Sequence, residues 1–124
     1  MTGEMAQWVV VSGRILMGGF YVVAGVHHFL VLDPLTQMIA ARHVPAPKFV
    51  LMAGSLFQLV AGLLLMSGVW HTGAALGLII FTLTASLMLL NFWDQHGDQR
   101  RNAITQWQCN LALIGGLLTQ AAMQ

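Results

Sequence analysis

Six polar side chains in or beside the long apolar stretches of this sequence are its candidates for contact with a ligand. Guanidinium, imidazole and amide groups donate or accept hydrogen bonds, so they can hold an anionic or carbonyl-bearing molecule. None of the six is a carboxylate or a thiol, which disfavours a nucleophile triad and proton-coupled transport. The residues are Arg14, His27, His28, Gln58, Asn91 and Asn110.

Arg14 begins a stripe of residues along the first apolar stretch. Steps of 3.6 residues from Arg14 lead to Gly18, Tyr21, Gly25 and His28, so a helix presents all five on one face. A face of this composition is typical of contact with protein rather than with lipid. Arg14 is then an internal anchor for a partner helix or for a ligand. The alternative is that its long side chain extends to the nearer lipid head groups.

A second group of polar residues is predicted to meet at one rim of the helices. Asn91 and Asn110 are expected at similar depth, and His27 with His28 ends the first apolar stretch on the same side. This rim is the candidate ligand site. The alternative is that these residues are ordinary helix caps and wet anchors. The neighbours expected on that side are Trp93, Trp107, Arg42, His43 and His96.

Gln58 lies near the middle of the second apolar stretch, with Gly54 and Gly62 one turn away on the same face. Small residues let another backbone approach, and the amide can then hydrogen-bond across the contact. A structural role is favoured over ligand contact. Gly73 and Gly77 form a GxxxG pattern in the third stretch, which is a weak signal in a glycine-rich chain.

The cysteine and histidine positions exclude several cofactor sites. Cys109 is the only cysteine, so one chain can form neither a disulfide nor a CxxC redox pair, nor a cysteine-based zinc or iron–sulfur site. His27 and His28 are adjacent and have no interior histidine opposite them, which disfavours haem ligation. No apolar stretch contains a carboxylate, so we expect no metal and no covalently bound cofactor.

The composition places these residues in a membrane protein. Of 124 residues, 57% are hydrophobic and 7% are charged, against the roughly 25% charged residues of soluble domains. The net charge of +1 supplies no argument for nucleic-acid binding. Residues 1–124 are expected to form one all-α integral membrane domain, a four-helix bundle in the lipid bilayer. Its spans are predicted at about 8–29, 49–70, 72–93 and 103–123.

The connections and tryptophans agree with this division. The Asp33-Pro34 pair starts a predicted short interfacial helix between the first two spans, and the prolines of 44–47 end it. A tight turn is predicted between Gly68 and Gly73, and a polar loop over 94–102. All four tryptophans fall at span ends, where indole rings prefer the head-group level. These predicted interfacial anchors are Trp8, Trp70, Trp93 and Trp107.

The basic residues predict the orientation. The connections after the first and third spans contain all the Lys and Arg residues except Arg14. By the positive-inside rule these connections face the cytoplasm, and both termini face outward. The four residues are Arg42, Lys48, Arg100 and Arg101.

Several short segments follow one another along the chain: 13–16, 24–28, 33–34, 44–47, 62–65 with Gly68, 91–93 and 110–118. Taken together, these segments resemble the DoxX family of small four-helix bacterial membrane proteins. The order and spacing of the segments, more than any one of them, make the resemblance. It implies a bundle in the bacterial inner membrane, and some members of the family serve quinone-dependent sulfur oxidation or membrane redox and oxidative-stress complexes.

Two departures from the family pattern bear on function. Relatives often carry glutamate where this chain has Gln58, and that glutamate can pair with the arginine of the first helix. Relatives also often have lysine at the positions of His28 and Cys109. The amide leaves Arg14 without that carboxylate partner, so family chemistry that needs the ion pair is in question here.

Two functions are therefore predicted. The first is a subunit of a quinone-linked redox or oxidative-stress complex, which receives electrons from redox partner proteins and binds an isoprenoid quinone through His28, Asn91 or Arg14. The second is a non-catalytic scaffold or accessory homo-oligomer whose glycine faces are contacts. In either function the chain is an accessory subunit more than an enzyme by itself. A transporter is a more distant alternative, because four spans would need to dimerise to enclose a path.

Overall fold

The computed structural model describes residues 2–123, and within that range every regular element is helical. Thr2 caps the first helix by accepting a hydrogen bond from the Met5 amide at 3.1 Å. The helices are α1 (Gly3–Leu30), α2 (Leu32–Ala40), α3 (Pro47–Ser67), α4 (His71–Leu89) and α5 (Gly97–Ala122), with a 3-10 turn at Phe92–Asp94.

Three segments are long and apolar enough to cross a membrane within the described residues: Gly3–Leu30, Pro47–Ser67 and His71–Asp94. They correspond to the first three predicted spans. The fourth predicted span, 103–123, lies in α5, which is not among them because the amino-terminal half of α5 is rich in Arg, Asn and Gln. A fourth span at 103–123 therefore stays a prediction.

The predicted connections are partly confirmed. A nine-residue helix does follow α1, and it ends before the proline-containing segment, where Ala46 takes a left-handed conformation with φ of 48°. Gly68, with φ of 83°, ends α3 as predicted, whereas Gly73 lies inside α4. The loop predicted over 94–102 is wrong in its second half. Helix α5 starts at Gly97, and Asp98 in its first turn is favourably placed near the helix amino terminus.

The tightest packing is between α1 and α3, which cross at two glycines. A Cβ on Gly18 would lie 2.6 Å from the Gly62 carbonyl oxygen, and a Cβ on Gly62 would lie 2.8 Å from the Gly18 carbonyl oxygen. Only glycine permits that approach. Gly18, Tyr21 and Gly25 are buried, which confirms that the predicted stripe of α1 faces protein.

The other helices complete a compact core. Helix α4 packs between α3 and α5, and α5 also contacts α1. Each end of the molecule has a contact between neighbouring segments. At one end Arg42 forms an ion pair with Asp94 at 3.1 Å, and at the other Thr72 of α4 donates to the Ala121 carbonyl of α5 at 2.9 Å. We call these the loop end and the terminal end. The buried cluster between the helices comprises Tyr21, Ala61, Leu65, Ala74, Ala75, Leu78 and Leu117.

The tryptophans are divided between these ends as predicted. Trp8 and Trp70 are exposed at the terminal end, and Trp93 is exposed at the loop end. Trp107 differs because it is half-buried and its indole Nε1 donates to the Leu90 carbonyl at 2.6 Å. That bond satisfies a carbonyl at the end of α4, so Trp107 ties α5 to α4.

Candidate functional site

A partly enclosed cavity of about 240 Å³ lies between the first four helices, towards the loop end. His28 comes from α1, Ile39 from α2 and Ser55 from α3, and α4 supplies the opposite wall. Nearly all of the lining is apolar, with His28, Ser55 and Thr84 the polar exceptions. The remaining lining residues are Val50, Leu51, Gly54, Phe81, Ala85, Met88 and Leu89.

Gly25, one turn before His28, lets the backbone of α1 lie close to α3, and this places His28 at the cavity. A Cβ on Gly25 would lie 2.8 Å from Leu59 Cγ and 3.2 Å from the Ser55 carbonyl oxygen, so glycine keeps α1 close to α3 here. Nδ1 of His28 lies 3.2 Å from Ser55 Oγ. This bond fixes the orientation of the half-buried imidazole.

The His28–Ser55 hydrogen bond also determines what the ring can offer a ligand. When the Ser55 hydroxyl donates to Nδ1, the ring proton resides on Nε2, which becomes a donor. A single donor on an apolar wall can orient a ligand that carries a carbonyl oxygen. The pair is therefore suited to a mostly apolar molecule with one or two polar atoms.

Gly54 and Ile39 determine the shape of two further sides of the cavity. A Cβ on Gly54 would lie 3.3 Å from Phe81 Cε2, so the absence of a side chain keeps this part of the cavity open. Ile39, on the amphipathic helix α2, is 5% exposed and covers one side of the cavity. Helix α2 thus supplies an apolar side chain to the wall rather than a charged one.

A chain of buried hydrogen bonds runs beside the cavity and joins three helices. Tyr21 Oη lies 2.7 Å from Thr82 Oγ1, Ser86 Oγ donates to the Thr82 carbonyl at 2.7 Å, and Asn110 Nδ2 donates to Ser86 Oγ at 2.8 Å. In lipid such bonds hold helices together because the alternative for each group is to remain unpaired. The chain explains how α1, α4 and α5 keep their register.

We expect the Tyr21→Phe variant to lower the free energy of unfolding by about 1 kcal/mol, because it removes the α1–α4 hydrogen bond but keeps the ring. Reversible unfolding in mixed micelles measures the change. The control is Phe20→Leu, which alters an exposed aromatic side chain on the same helix. An unchanged stability for Tyr21→Phe would contradict a stabilising role for the bond.

The structure separates most of the predicted rim residues. His28 lines the cavity, but the neighbouring His27 is exposed and lines an outer groove of α1. Asn91 donates to the Leu87 carbonyl at 2.6 Å, which is a bond within its own helix end. Asn110 is the last member of the buried chain of hydrogen bonds and donates to Ser86. The rim therefore supplies one cavity residue, while the two amides have helix-capping and interhelical contacts.

Arg14 and Gln58 also occupy separate places. The Arg14 guanidinium packs on the turn after α3, where a Cβ on Gly68 would lie 3.0 Å from Nη2, and its Nε is buried without a hydrogen-bond partner among the described residues. No carboxylate within residues 2–123 forms an ion pair with Arg14. Gln58 is 3% exposed in the core, with Oε1 unpaired in the described part of the chain.

The residues that sequence reasoning missed are small or apolar. Ser55 lies one turn before Gln58, and a hydroxyl in an apolar span was a usable signal for a hydrogen bond. Ile39 and Ala85 carry no signal of this kind, because their importance comes from where α2 and α4 lie. Within residues 2–123 no group of three or more His, Cys, Asp or Glu side chains is placed to hold a metal ion.

The comparisons with known proteins give one match. The family model described as DoxX matches residues 9–91, which is more than half of the chain and extends from α1 to the end of α4. Searches of curated proteins and of solved structures found no match. The matched region contains every residue that lines the cavity.

Proposed function

The chain belongs to the DoxX family, and from that premise we propose that it binds a quinone head group beside His28 as a subunit of a quinone-linked redox or oxidative-stress complex. One observation carries the proposal: a single oriented imidazole on the wall of a mostly apolar cavity between helices of which three are long and apolar enough to cross a membrane. Quinones combine an apolar ring with carbonyl oxygens, so this wall matches their chemistry.

The cavity is large enough for the ring of a quinone but not for the whole quinone molecule. The volume of about 240 Å³ is below the roughly 300–1,000 Å³ of pockets that enclose drug-sized ligands. An isoprenoid tail therefore lies outside the cavity, where the exposed apolar side chains of the helices supply its surroundings. Ser55 and His28 supply polar atoms at the wall, and the remaining contacts are van der Waals contacts.

The residues of this chain bind and orient the quinone, and they exclude water from its ring. A bound quinone supplies the capacity to carry two electrons and two protons between proteins. Nε2 of His28 donates to a ring carbonyl while Ser55 holds the imidazole in place. Ile39 and Phe81 keep the ring in apolar surroundings. Electrons come from redox partner proteins, because the only cysteine, Cys109, cannot form a redox pair within one chain.

The same proposal includes a membrane arrangement. Helix α5 is the fourth span of a four-helix bundle, with α4 and α1 covering its buried side, and α2 lies at the membrane interface. The protein resides in the bacterial inner membrane with the loop end in the cytoplasm and both termini outside. The ion pair between Arg42 and Asp94 supports the placing of both basic connections on one side.

Lipid analysis and titration test the binding function. Protein purified from its native membrane in a mild detergent is extracted and the quinones are measured by mass spectrometry, and a short-tailed benzoquinone is then titrated by tryptophan fluorescence. We expect co-purified quinone at a substantial fraction of the protein and saturable quenching. No enrichment over bulk lipid, together with no saturable binding, would overturn the proposal.

We expect His28→Leu to weaken binding of the short-tailed quinone about tenfold, which corresponds to about 1.4 kcal/mol, because the ring carbonyl loses its donor. The matched control is His27→Leu, since His27 is adjacent but exposed outside the cavity. The control should bind as the unmodified protein does. If the two substitutions weaken quinone binding equally, His28 makes no specific contact with the ring carbonyl.

The alternative function, a non-catalytic scaffold, has its own supporting observation. The outward side of α5 is exposed and carries polar and small residues, as a protein contact in a membrane does, next to the exposed Leu111 and Leu118. A pure scaffold predicts that substitutions in the cavity leave assembly intact and affect no ligand. Measuring complex assembly and quinone content on the same preparations separates the two functions.

A further inference from the structure

The Arg14 side chain connects α1 to the turn that ends α3, at the terminal end of the molecule. A Cβ on Gly68 in that turn would lie 3.0 Å from Arg14 Nη2 and 3.1 Å from Cζ. Gly68 also has φ of 83°, so glycine suits the turn and leaves room for the guanidinium. The Arg14 side chain is partly exposed, and a molecule beside the bundle can therefore reach it.

The positive charge of Arg14 has no acidic side chain as a partner. Within residues 2–123 two of the four carboxylate side chains pair with other arginines, and neither pairs with Arg14. A third is in α2 at the loop end, and the fourth, Glu4, lies ten residues before Arg14, about 15 Å along α1. The four acidic residues are Glu4, Asp33, Asp94 and Asp98.

The hydrogen-bonding capacity of the guanidinium is also unused. Arg14 Nε is buried and has no hydrogen-bond partner in the described part of the chain. A charged group in a membrane helix is costly unless a partner compensates it. The partner of Arg14 is therefore expected to come from outside residues 2–123, and it must carry negative charge and accept hydrogen bonds.

Two tryptophans indicate the depth of this group in the membrane. Trp70 is two residues after Gly68 and is 80% exposed, and Trp8 is 66% exposed at the same end. Exposed indole rings prefer the head-group level. The guanidinium that lies against Gly68 is thus close to the level of the lipid phosphates, although the Cα of Arg14 is six residues further along α1 than Trp8.

We propose that Arg14, lying against Gly68, binds a phosphate group at the terminal end, of the kind that a phospholipid head group carries. A guanidinium can donate two parallel hydrogen bonds to phosphate oxygens, which a lysine cannot do with the same geometry. Free phosphate has the same oxygens and is the second source of this chemistry. The site is about 21 Å along α1 from His28, so it is separate from the cavity and does not depend on quinone binding.

Arg14 also lies near the carboxyl end of α3, where a positive charge is favourable without any ligand. The two roles differ in one measurable respect. A binding site makes the stability of the folded protein depend on the concentration of its ligand, whereas a charge that only stabilises the end of α3 does not.

Thermal unfolding in dodecyl maltoside with added ligands tests the site. We expect short-chain phosphatidylglycerol to raise the Tm of the unmodified protein by several degrees, and diacylglycerol with the same acyl chains to have little effect. The rise should be absent in Arg14→Gln and retained in Arg101→Gln, which removes an exposed cation at the loop end. No rise in the unmodified protein, or an equal rise in Arg14→Gln, would overturn the proposal.

Inorganic phosphate in the same assay identifies the source of the group. A rise in Tm with phosphatidylglycerol alone supports a lipid head group as the ligand. A rise with inorganic phosphate as well, again absent in Arg14→Gln, supports a site for phosphate from either source. A rise with inorganic phosphate that persists in Arg14→Gln is a general salt effect and counts against the site.

A substitution at Gly68 tests the site while Arg14 is retained. A methyl group there meets the guanidinium, so we expect Gly68→Ala to reduce the fraction of chains with bound phosphatidylglycerol several-fold in native mass spectrometry. Gly97→Ala is the matched control, since Gly97 also has a positive φ, 64°, but a Cβ there would have no atom within 4 Å. Equal lipid retention by the two variants would contradict the inference.

Discussion

The Gly18→Val variant is expected to lose about 3 kcal/mol of unfolding free energy, the upper part of the usual range for overpacking. A Cβ on Gly18 would lie 2.5 Å from Met66 Cγ and 2.6 Å from the Gly62 carbonyl oxygen. A flexible side chain can move aside, but a helix backbone oxygen cannot do so without separating α1 from α3. Denaturation in mixed micelles, followed by circular dichroism, measures the loss.

The neighbouring glycine supplies the control for this prediction. Gly19 is on the same helix, but a Cβ there would have nothing within 4 Å. The Gly19→Val variant carries the same change in helix propensity and in side-chain volume, and it should retain nearly all of the stability. If both variants unfold alike, the close crossing of α1 and α3 is not what stabilises the molecule.

The Ala85→Phe variant is expected to reduce binding of a short-tailed quinone below detection. Ala85 is partly buried and lines the cavity, so a phenyl group placed there takes the space in which the ring of the ligand lies. The cavity can receive much of the added volume, so folding should be affected much less than binding. Isothermal titration and thermal unfolding of the same preparation measure both quantities.

Ala53→Phe is the matched control for the filled cavity. Ala53 is exposed on α3, close to the cavity wall in sequence but facing away from it. This variant should bind the short-tailed quinone as the unmodified protein does. Retention of binding by the Ala85→Phe variant would place the ligand elsewhere on the molecule.

The α1 stripe shows how much of the fold could be predicted from residue types. Glycine, tyrosine and histidine at helical spacing in an apolar segment indicated a face that contacts protein, and Gly18 and Tyr21 are buried on that face. The reason is general, since polar and small residues in a membrane helix favour contact with another helix. Which helix would be the partner depended on long-range packing that the local pattern does not contain.

The candidate site was predicted less completely. Depth along each helix suggested that His28, Asn91 and Asn110 would meet, but depth says nothing about the direction in which a side chain points. Asn91 bonds to its own helix end, and Asn110 bonds to Ser86, so only His28 reaches the cavity. The cavity itself depends on Gly54 and Ile39, whose roles follow from the positions of α2, α3 and α4.

Helix α5, the predicted fourth span, illustrates a different difficulty. The sequence from 103 to 123 was predicted as a span, but α5 begins at Gly97 and its first half is polar. Hydropathy alone does not mark α5 as a span, and its buried side includes a polar group that pairs within the molecule. The Gln120 side chain is buried, and its Nε2 donates to the Val10 carbonyl at 3.3 Å.

Photoaffinity labelling tests the central claim, that a quinone head group lies in the cavity beside His28, most directly. An azidoquinone is activated in membranes that contain the protein, and labelled peptides are mapped by mass spectrometry. We expect the label on the residues within 50–55 and 81–89 that line the cavity, and we expect excess quinone to prevent it. Label spread over the outward sides of α1 and α3, unaffected by excess quinone, would contradict the account.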